Sequence, residues 1–219
     1  KLDMLDELGV FPHNLATSSP TFAEDLIYIV TSNGVDEGHI VLPVPAAPSF
    51  LAVNKNTGEI AWEGSEPGEG VLHGQWSSAA VGVIDGVKQA IFPGGDGKVY
   101  SYEAKTGKPL WQFQCNPEDS VWKLGGLGTR NNIIATPVID GGVVYIAVGQ
   151  DPEHGEGDEG HLYAIDATKR GDITKTGAIW HNQEVVRSMS TVAVLDGVVY
   201  FCDLSGVFRA LDAKTGKTL

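Results

Sequence analysis

A turn phrase that returns along the chain constrains its fold more than any other feature. An acidic or amide residue opens the phrase, Thr-Gly closes it, and a Trp stands three or four residues further on. It reads NKNTGEIAW from Asn54 to Trp62 and EAKTGKPLW from Glu103 to Trp111, then, stretched by an insertion, DATKRGDITKTGAIW from Asp166 to Trp180. A fourth copy, DAKTGKTL from Asp212, stops at Leu219, which leads us to expect a piece of a longer repeat protein. Gly in such a turn reaches a positive φ that other residues adopt only with strain, and Asp or Asn bonds the backbone amides of the turn it opens. The flanking segments, among them LYAID from Leu162 and FRALD from Phe208, alternate and are rich in β formers. Each copy therefore predicts a corner between antiparallel strands.

Upstream of each corner lies a second hairpin signal. It is plainest in ATPVIDGGVVYIAVG from Ala135 and STVAVLDGVVYFCD from Ser190, and SSAAVGVIDGVKQAIFPGG from Ser77 matches it. SSPTFAEDLIYIVTS from Ser18 places Glu24 and Asp25 in the turn. Asp-Gly between alternating apolar runs is a strong two-residue hairpin signal. Two hairpins per repeat make four strands, with units starting near 18, 77, 135 and 190 and a Ser or Thr opening each at 19, 78, 136 and 191. A four-stranded unit that cannot bury its faces alone, repeated radially, predicts an all-β β-propeller rather than a β-sandwich. A Trp at one place per repeat fits the gap between adjacent blades. About four blades are expected over residues 1–219, as a single partial domain and an arc of a larger ring of seven or eight blades. An arc leaves open edges, through which self-association is expected.

These residues resemble the pyrroloquinoline-quinone-type (PQQ-like) propeller repeats, whose phrase is Ala-x-Asp-x-x-Thr-Gly-x-x-x-Trp. Ala210, Asp212, Thr215 and Gly216 fit it, Ala164 and Asp166 fit its first half, and Thr57, Gly58 and Trp62 fit its second. Asn54 and Glu103 replace the Asp. The wording FPHN, TSNGVDEGH, HGQWSS, GTRNNIIATP and VGQDPEHGEG resembles most closely the quinone-binding-like propeller proteins of planctomycete-type bacteria. The resemblance implies the fold and an extracytoplasmic, periplasmic or secreted, location. Its repeats occur in quinone-dependent dehydrogenases and in scaffolds of outer-membrane barrel assembly, so it leaves activity open.

Lys and Arg number 15 against 28 Asp and Glu, a net charge of −13. That surface repels phosphate backbones and anionic lipid, so neither nucleic acid nor a membrane surface is an expected partner. No apolar stretch is long enough to span a bilayer, and KLDMLDELGVF lacks the features of a signal peptide. Cys115 and Cys202 show neither metal spacing nor a disulfide framework.

In an up-and-down blade the Asp-Gly turns and Thr-Gly corners share one face, while the middle turns and the crossovers share the other. Long Gly-rich segments gather on the second face: Ser32 to Phe50, Gly149 to His161, and the crossovers EGSEPGEGVLHGQW and QFQCNPEDSVWKLGGLGTRNN. Binding usually resides in such loops on a rigid scaffold. Just before each innermost strand stand His13 and Asn14; His73, Gln75 and Trp76; Arg130, Asn131 and Asn132; and Arg187 with Ser188. Their amides, imidazoles, guanidinium groups and indole suit a small molecule, a glycan or a protein partner; equally, they suit the backbone groups of the long loops. No metal site is expected: the acidic segment with His154, Glu156, Asp158, Glu159 and His161 has neither calcium-loop nor zinc spacing. No catalytic residue and no cofactor is assigned. The expected function is a non-catalytic binding or protein-interaction scaffold. The alternative, part of a quinoprotein alcohol or sugar dehydrogenase, requires the quinone with calcium, for which no acidic residue stands at the channel entrance.

Overall fold

The computed structural model of the chain describes residues 1–149 and 159–219. After a short helix, α1 (Met4–Leu8), come four antiparallel sheets. The first holds β1 (Thr21–Ala23), β2 (Leu26–Val30), β3 (Phe50–Asn54) and β4 (Ile60–Gly64) in chain order. The second holds β5 (Ala80–Ile84), β6 (Val87–Pro93), β7 (Lys98–Glu103) and β8 (Pro109–Gln114). β9 (Val138–Asp140), β10 (Val143–Val148), β11 (His161–Asp166) and β13 (Ala178–Asn182) make the third, with β12 (Gly171–Asp172) inserted between its last two strands in sequence. The fourth comprises β14 (Ala193–Leu195), β15 (Val198–Cys202) and β16 (Phe208–Asp212), and Thr218 bridges to Leu211 where a fourth strand would lie.

The four sheets are propeller blades, and their inner strands neighbour one another in the order β1, β5, β9, β14. No closed ring of sheets forms among the described residues. The Ser and Thr that open each unit stitch the blades together. Ser78 Oγ accepts from Ser19 N at 2.8 Å, Ser77 Oγ donates to Ala135 O at 2.7 Å, and Thr191 Oγ1 accepts from Thr136 N at 3.1 Å. Their sequence separations of 59, 58 and 55 are the repeat length itself.

The Trp residues occupy equivalent places. Register shifts between β3 and β4, β7 and β8, and β11 and β13 leave Ala61, Leu110 and Ile179 unpaired just ahead of Trp62, Trp111 and Trp180. A bulge re-aims the side chain that follows, here into the seam with the next blade. Trp62 Nε1 donates to Ala104 O at 2.8 Å and Trp180 Nε1 to Ala213 O at 2.9 Å. Tyr28 and Tyr145 donate to the same two carbonyls from the third position of β2 and β10. In β6 that position is Gln89, which accepts from Trp111 Nε1 at 2.8 Å and donates to Ala167 O at 3.2 Å. Ala104, Ala167 and Ala213 each follow the acidic residue of a corner. The indoles of Trp62, Trp111 and Trp180 thus reach the next blade's corner, directly or through Gln89, and burying each contributes about 2–3 kcal/mol.

The corners form as their chemistry demands. Asn54 Oδ1 accepts from Asn56 N and Thr57 N, and Asp212 Oδ1 from Lys214 N and Thr215 N. Asp85 with Gly86, and Asp196 with Gly197, have positive φ at both turn positions, the two-residue hairpin geometry. The third corner departs from expectation. Asp166 N bonds Gly177 O just as Asn54 N bonds Glu59 O and Glu103 N bonds Lys108 O, so Gly177 sits one place past the corner glycines and lacks their positive φ. Its insertion crosses to the outer edge of the second blade, where β12 pairs parallel with β8 and Gln114 N donates to Thr174 Oγ1. An edge of open backbone groups is thereby covered.

Gly107 separates two roles of a corner glycine. Its φ is +70°, and a Cβ there would lie 2.7 Å from the Trp62 ring, whereas Gly58, with φ +78°, faces open space. Gly58→Ala should cost about 1 kcal/mol through backbone strain alone. Gly107→Ala should cost about 2–4 kcal/mol, because the indole must shift as well. Paired urea melts measure the difference, and equal losses would remove the Trp from the seam argument.

Candidate functional site

Three segments of the loop-rich face meet ahead of the first two blades. His13 precedes β1, His39 lies in the middle connection of the first blade, and His73 lies in the crossover to β5. Backbone bonds clasp them: His13 N donates to Ser32 O, Gly34 N to Phe11 O, and Val35 N to His73 O at 3.0 Å. Asn33 Oδ1 accepts from Phe11 N while its Nδ2 donates to Val44 O. The approach depends on glycines. A Cβ on Gly34 would lie 2.7 Å from both His13 Cβ and His73 O, one on Gly74 would lie 2.3 Å from the Trp76 ring, and one on Gly125 would lie 2.8 Å from His39 Cβ.

The imidazoles converge on one another. His39 Nε2 is 2.8 Å from His73 Nε2 and 3.2 Å from His13 Nε2, and the ring centroids are 4.5 to 4.8 Å apart. His13 Nδ1 is 2.9 Å from Val35 O; a carbonyl only accepts, so the Nδ1 carries the proton and the Nε2 lone pair faces the other rings. Burial holds the His13 imidazole below its usual pKa, and the neighbouring His73 and His39 push the same way. Trp76 roofs the pair, 5.0 Å from His73 and 5.8 Å from His13, and its Nε1 donates to His13 O at 3.2 Å. His39 takes a left-handed φ of +56°, a conformation that costs a residue with a side chain about 1–2 kcal/mol.

Of the ten residues expected at this face, His13, His73 and Trp76 are brought together. Gln75 is spent on structure: it is buried, its Nε2 donates to Asn33 O and Ser49 Oγ, and its Oε1 accepts from Gly95 N. Asn131 N donates to Asn116 Oδ1, and Asn132 Nδ2 reaches Gly74 O at 3.2 Å. Asn132 Oδ1 is buried and has no hydrogen-bond partner among the described residues. Arg130 Nε bonds Ser120 Oγ within its own connection, Asn14 is exposed, and Arg187 lies beside Leu204 and Ser205 at the fourth blade. The expected ring of available polar groups is therefore a set of loop braces plus one imidazole cluster. His39 is absent from the sequence expectation, although the long first-blade connection that carries it is among those assigned to the loop-rich face. Nothing in the spacing of 13, 39 and 73 signals a shared site, because the three belong to three connections.

His154, Glu156 and Asp158 lie outside the described residues. His161, from the same segment, is buried in β11, with its Nδ1 3.1 Å from His181 Nε2. Calcium with a quinone requires six to eight oxygen ligands around the ion, and the convergent donors here are nitrogens. Cys115 is buried and Cys202 exposed, and neither is in a disulfide. Among the described residues, those that converge at this face do not fit the quinone–calcium pair.

Exposure differs between the two faces. Among the described residues Leu15, Ile40, Val41, Val121, Trp122 and Leu127 are exposed on the loop-rich face, whereas the exposed Phe22 and Leu195 stand on strands flanking the tight turns of the other face. The connection that carries Val121, Trp122 and Leu127 packs beside the histidines: Gly125 lies against His39, and Trp122 Nε1 donates to Gly70 O.

Known proteins agree with this architecture. The chain is similar to BamB from Moraxella catarrhalis, with 18% identity and a TM-score of 0.64 over 94% of this chain and 52% of that one. It is similar to quinohemoprotein alcohol dehydrogenase ADHIIG from Pseudomonas putida HK5, with 14% identity and a TM-score of 0.63 over 96% of this chain and 34% of the enzyme. The quinohemoprotein alcohol dehydrogenase from Comamonas testosteroni matches at 15% identity and a TM-score of 0.63 over 95% and 35%. The chain thus spans about half the length of the first and about a third of the enzymes, and these likenesses show the fold. No curated protein sequence matches it. Residues 12–219 match a family described as outer membrane protein assembly factor BamB, and the chain belongs to that family of PQQ-type propeller repeats.

Proposed function

We propose that this propeller arc is a binding scaffold that receives a protein partner on its loop-rich face and carries out no catalysis of its own. The single observation behind the reading is the asymmetry of exposure. Exposed apolar patches on a folded protein mark interaction surfaces, and aromatic anchors dominate their energetics. Ile40, Val41, Val121 and Trp122 supply such a patch, whereas the opposite face ends in Lys55, Lys105, Lys108, Lys214 and Lys217 within tight polar corners. A small molecule or glycan has a lesser place here, since the side chains of Gln75, Asn131 and Asn132 already hold backbone groups. The family description supports an extracytoplasmic location, and no helix among the described residues is long and apolar enough to cross a membrane. The kinship to planctomycete-type proteins belongs to the same reading, on the wording of the loops.

Site-specific photo-crosslinking in the native cell tests the face. A photoreactive residue at Ile40, Trp122 or Leu127 should give a defined adduct, and one at Asn56 or Lys105 should not. Adducts from the corner face alone, or from both faces equally, would remove the assignment. The dehydrogenase alternative has its own check. Added quinone with calcium should produce neither saturable binding nor dye-linked oxidation of alcohols, and turnover would establish an enzyme instead.

We further propose that the arc completes a larger propeller, within a longer chain or against a second copy. Tyr200 holds the place in β15 that Tyr28 and Tyr145 use to bond the following blade, and its ring stacks on Phe208, which is 66% exposed. Sedimentation of the 219-residue chain should show concentration-dependent association that Phe208→Asp weakens. A compact monomer at every concentration would argue for a closed four-bladed ring.

A further inference from the structure

The geometry at the head of the first two blades points to a metal site: we propose that His13, His39 and His73 bind one divalent transition-metal ion of the zinc type through nitrogen. Their ligating atoms all lie within 4.8 Å of one another. Three nitrogens holding a tetrahedral zinc ion at about 2.0–2.1 Å stand about 3.3 Å apart. The 2.8 and 3.2 Å from His39 Nε2 to its neighbours need a small spreading, and the widest separation, 4.8 Å, a closing of the rings, to admit the ion.

Several independent features build this site. His13 and His73 are 0% and 2% exposed, so two of the three ligands are fixed within the fold. Val35 O accepts a hydrogen bond from His13 Nδ1 and so leaves Nε2 as a lone pair, the outer-shell arrangement that orients histidine ligands in metal proteins. His39, on the more open middle connection, turns inward through a left-handed backbone that few residues adopt readily. Gly34 and Gly125 leave the space in which the rings meet, and a methyl group on either would strike His13 or His39. A purely imidazole donor set favours zinc, nickel, copper or cobalt over calcium and magnesium, which require oxygen. Three ligands leave a fourth coordination position, open to water or to a donor group from whatever sits on this face. Without an ion, a proton on His39 Nε2 shared between the two neighbouring lone pairs would hold the trio together, and that arrangement is the competing outcome.

The experiment uses the whole chain, without an affinity tag and stripped with a chelator, titrated with cobalt(II) chloride and then with zinc chloride. One cobalt ion should bind per chain with visible d–d absorption, and zinc should displace it. His39→Asn is the chosen variant because Asn tolerates a positive φ; its affinity should fall by more than about 100-fold. His181→Gln, at the remote histidine pair, should bind as the wild type does. Imidazole 15N spectra of the wild type give a readout that does not depend on a variant folding. Zinc should shift the resonances of three rings and leave those of His161 and His181 in place. Absence of saturable binding, wild-type affinity in His39→Asn, or shifts confined to His161 and His181 would each overturn the site. Crosslinking from the rim reports a partner whether or not an ion binds, so the two proposals fail separately.

Discussion

The hydrogen bond from an indole nitrogen to the carbonyl of the next blade's corner holds this structure together. It unites the two ends of the recurring phrase, since the Trp that closes one copy meets the Ala near the start of the next. A single bond of this kind contributes about 1 kcal/mol net. Its larger effect is geometric, because it fixes the angle at which each blade meets its neighbour while the ring buries apolar surface in the seam. Gln89 shows how tolerant the device is. Where the second blade lacks the Tyr of its neighbours, an amide relays the contact to Ala167.

Once the blades are set by their seams, the two faces are free to diverge. The corner face is bound to the phrase and can vary little. The opposite face carries none of the indole bonds, so its connections lengthen and take on side chains that the repeat does not require. Exposed Trp122 and Ile40, the roofing Trp76 and the three histidines all sit there. Similarity to BamB and to a quinohemoprotein alcohol dehydrogenase lies in the fold and says little about these loops.

The repeat, the strands and the orientation of the faces were legible in the residues because each rests on local chemistry. Asp85-Gly86 makes a hairpin wherever it occurs between alternating strands. The third corner was misread for a related reason. Thr176-Gly177 looks like its counterparts, yet the insertion before it carries β12 across to β8 and shifts the Gly by one place. At the loop-rich face several of the polar residues expected to bind a ligand bond the loops themselves. Gln75, Asn131 and Asn132 are polar and well placed, but the long loops leave backbone groups that these side chains must satisfy.

By itself, then, the amino-acid order determined a propeller of four-stranded blades with one elaborated rim, since turn chemistry, alternation and the repeating Trp act over a few residues at a time. Only the tertiary structure decided that His39 meets His13 and His73, and that Trp76 covers them. Those residues come from three separate connections, and their meeting depends on how two blades and a folded-back loop pack, with Gly34 and Gly125 leaving the room. Contacts across such distances in sequence leave no periodic trace, because no local rule of spacing creates them.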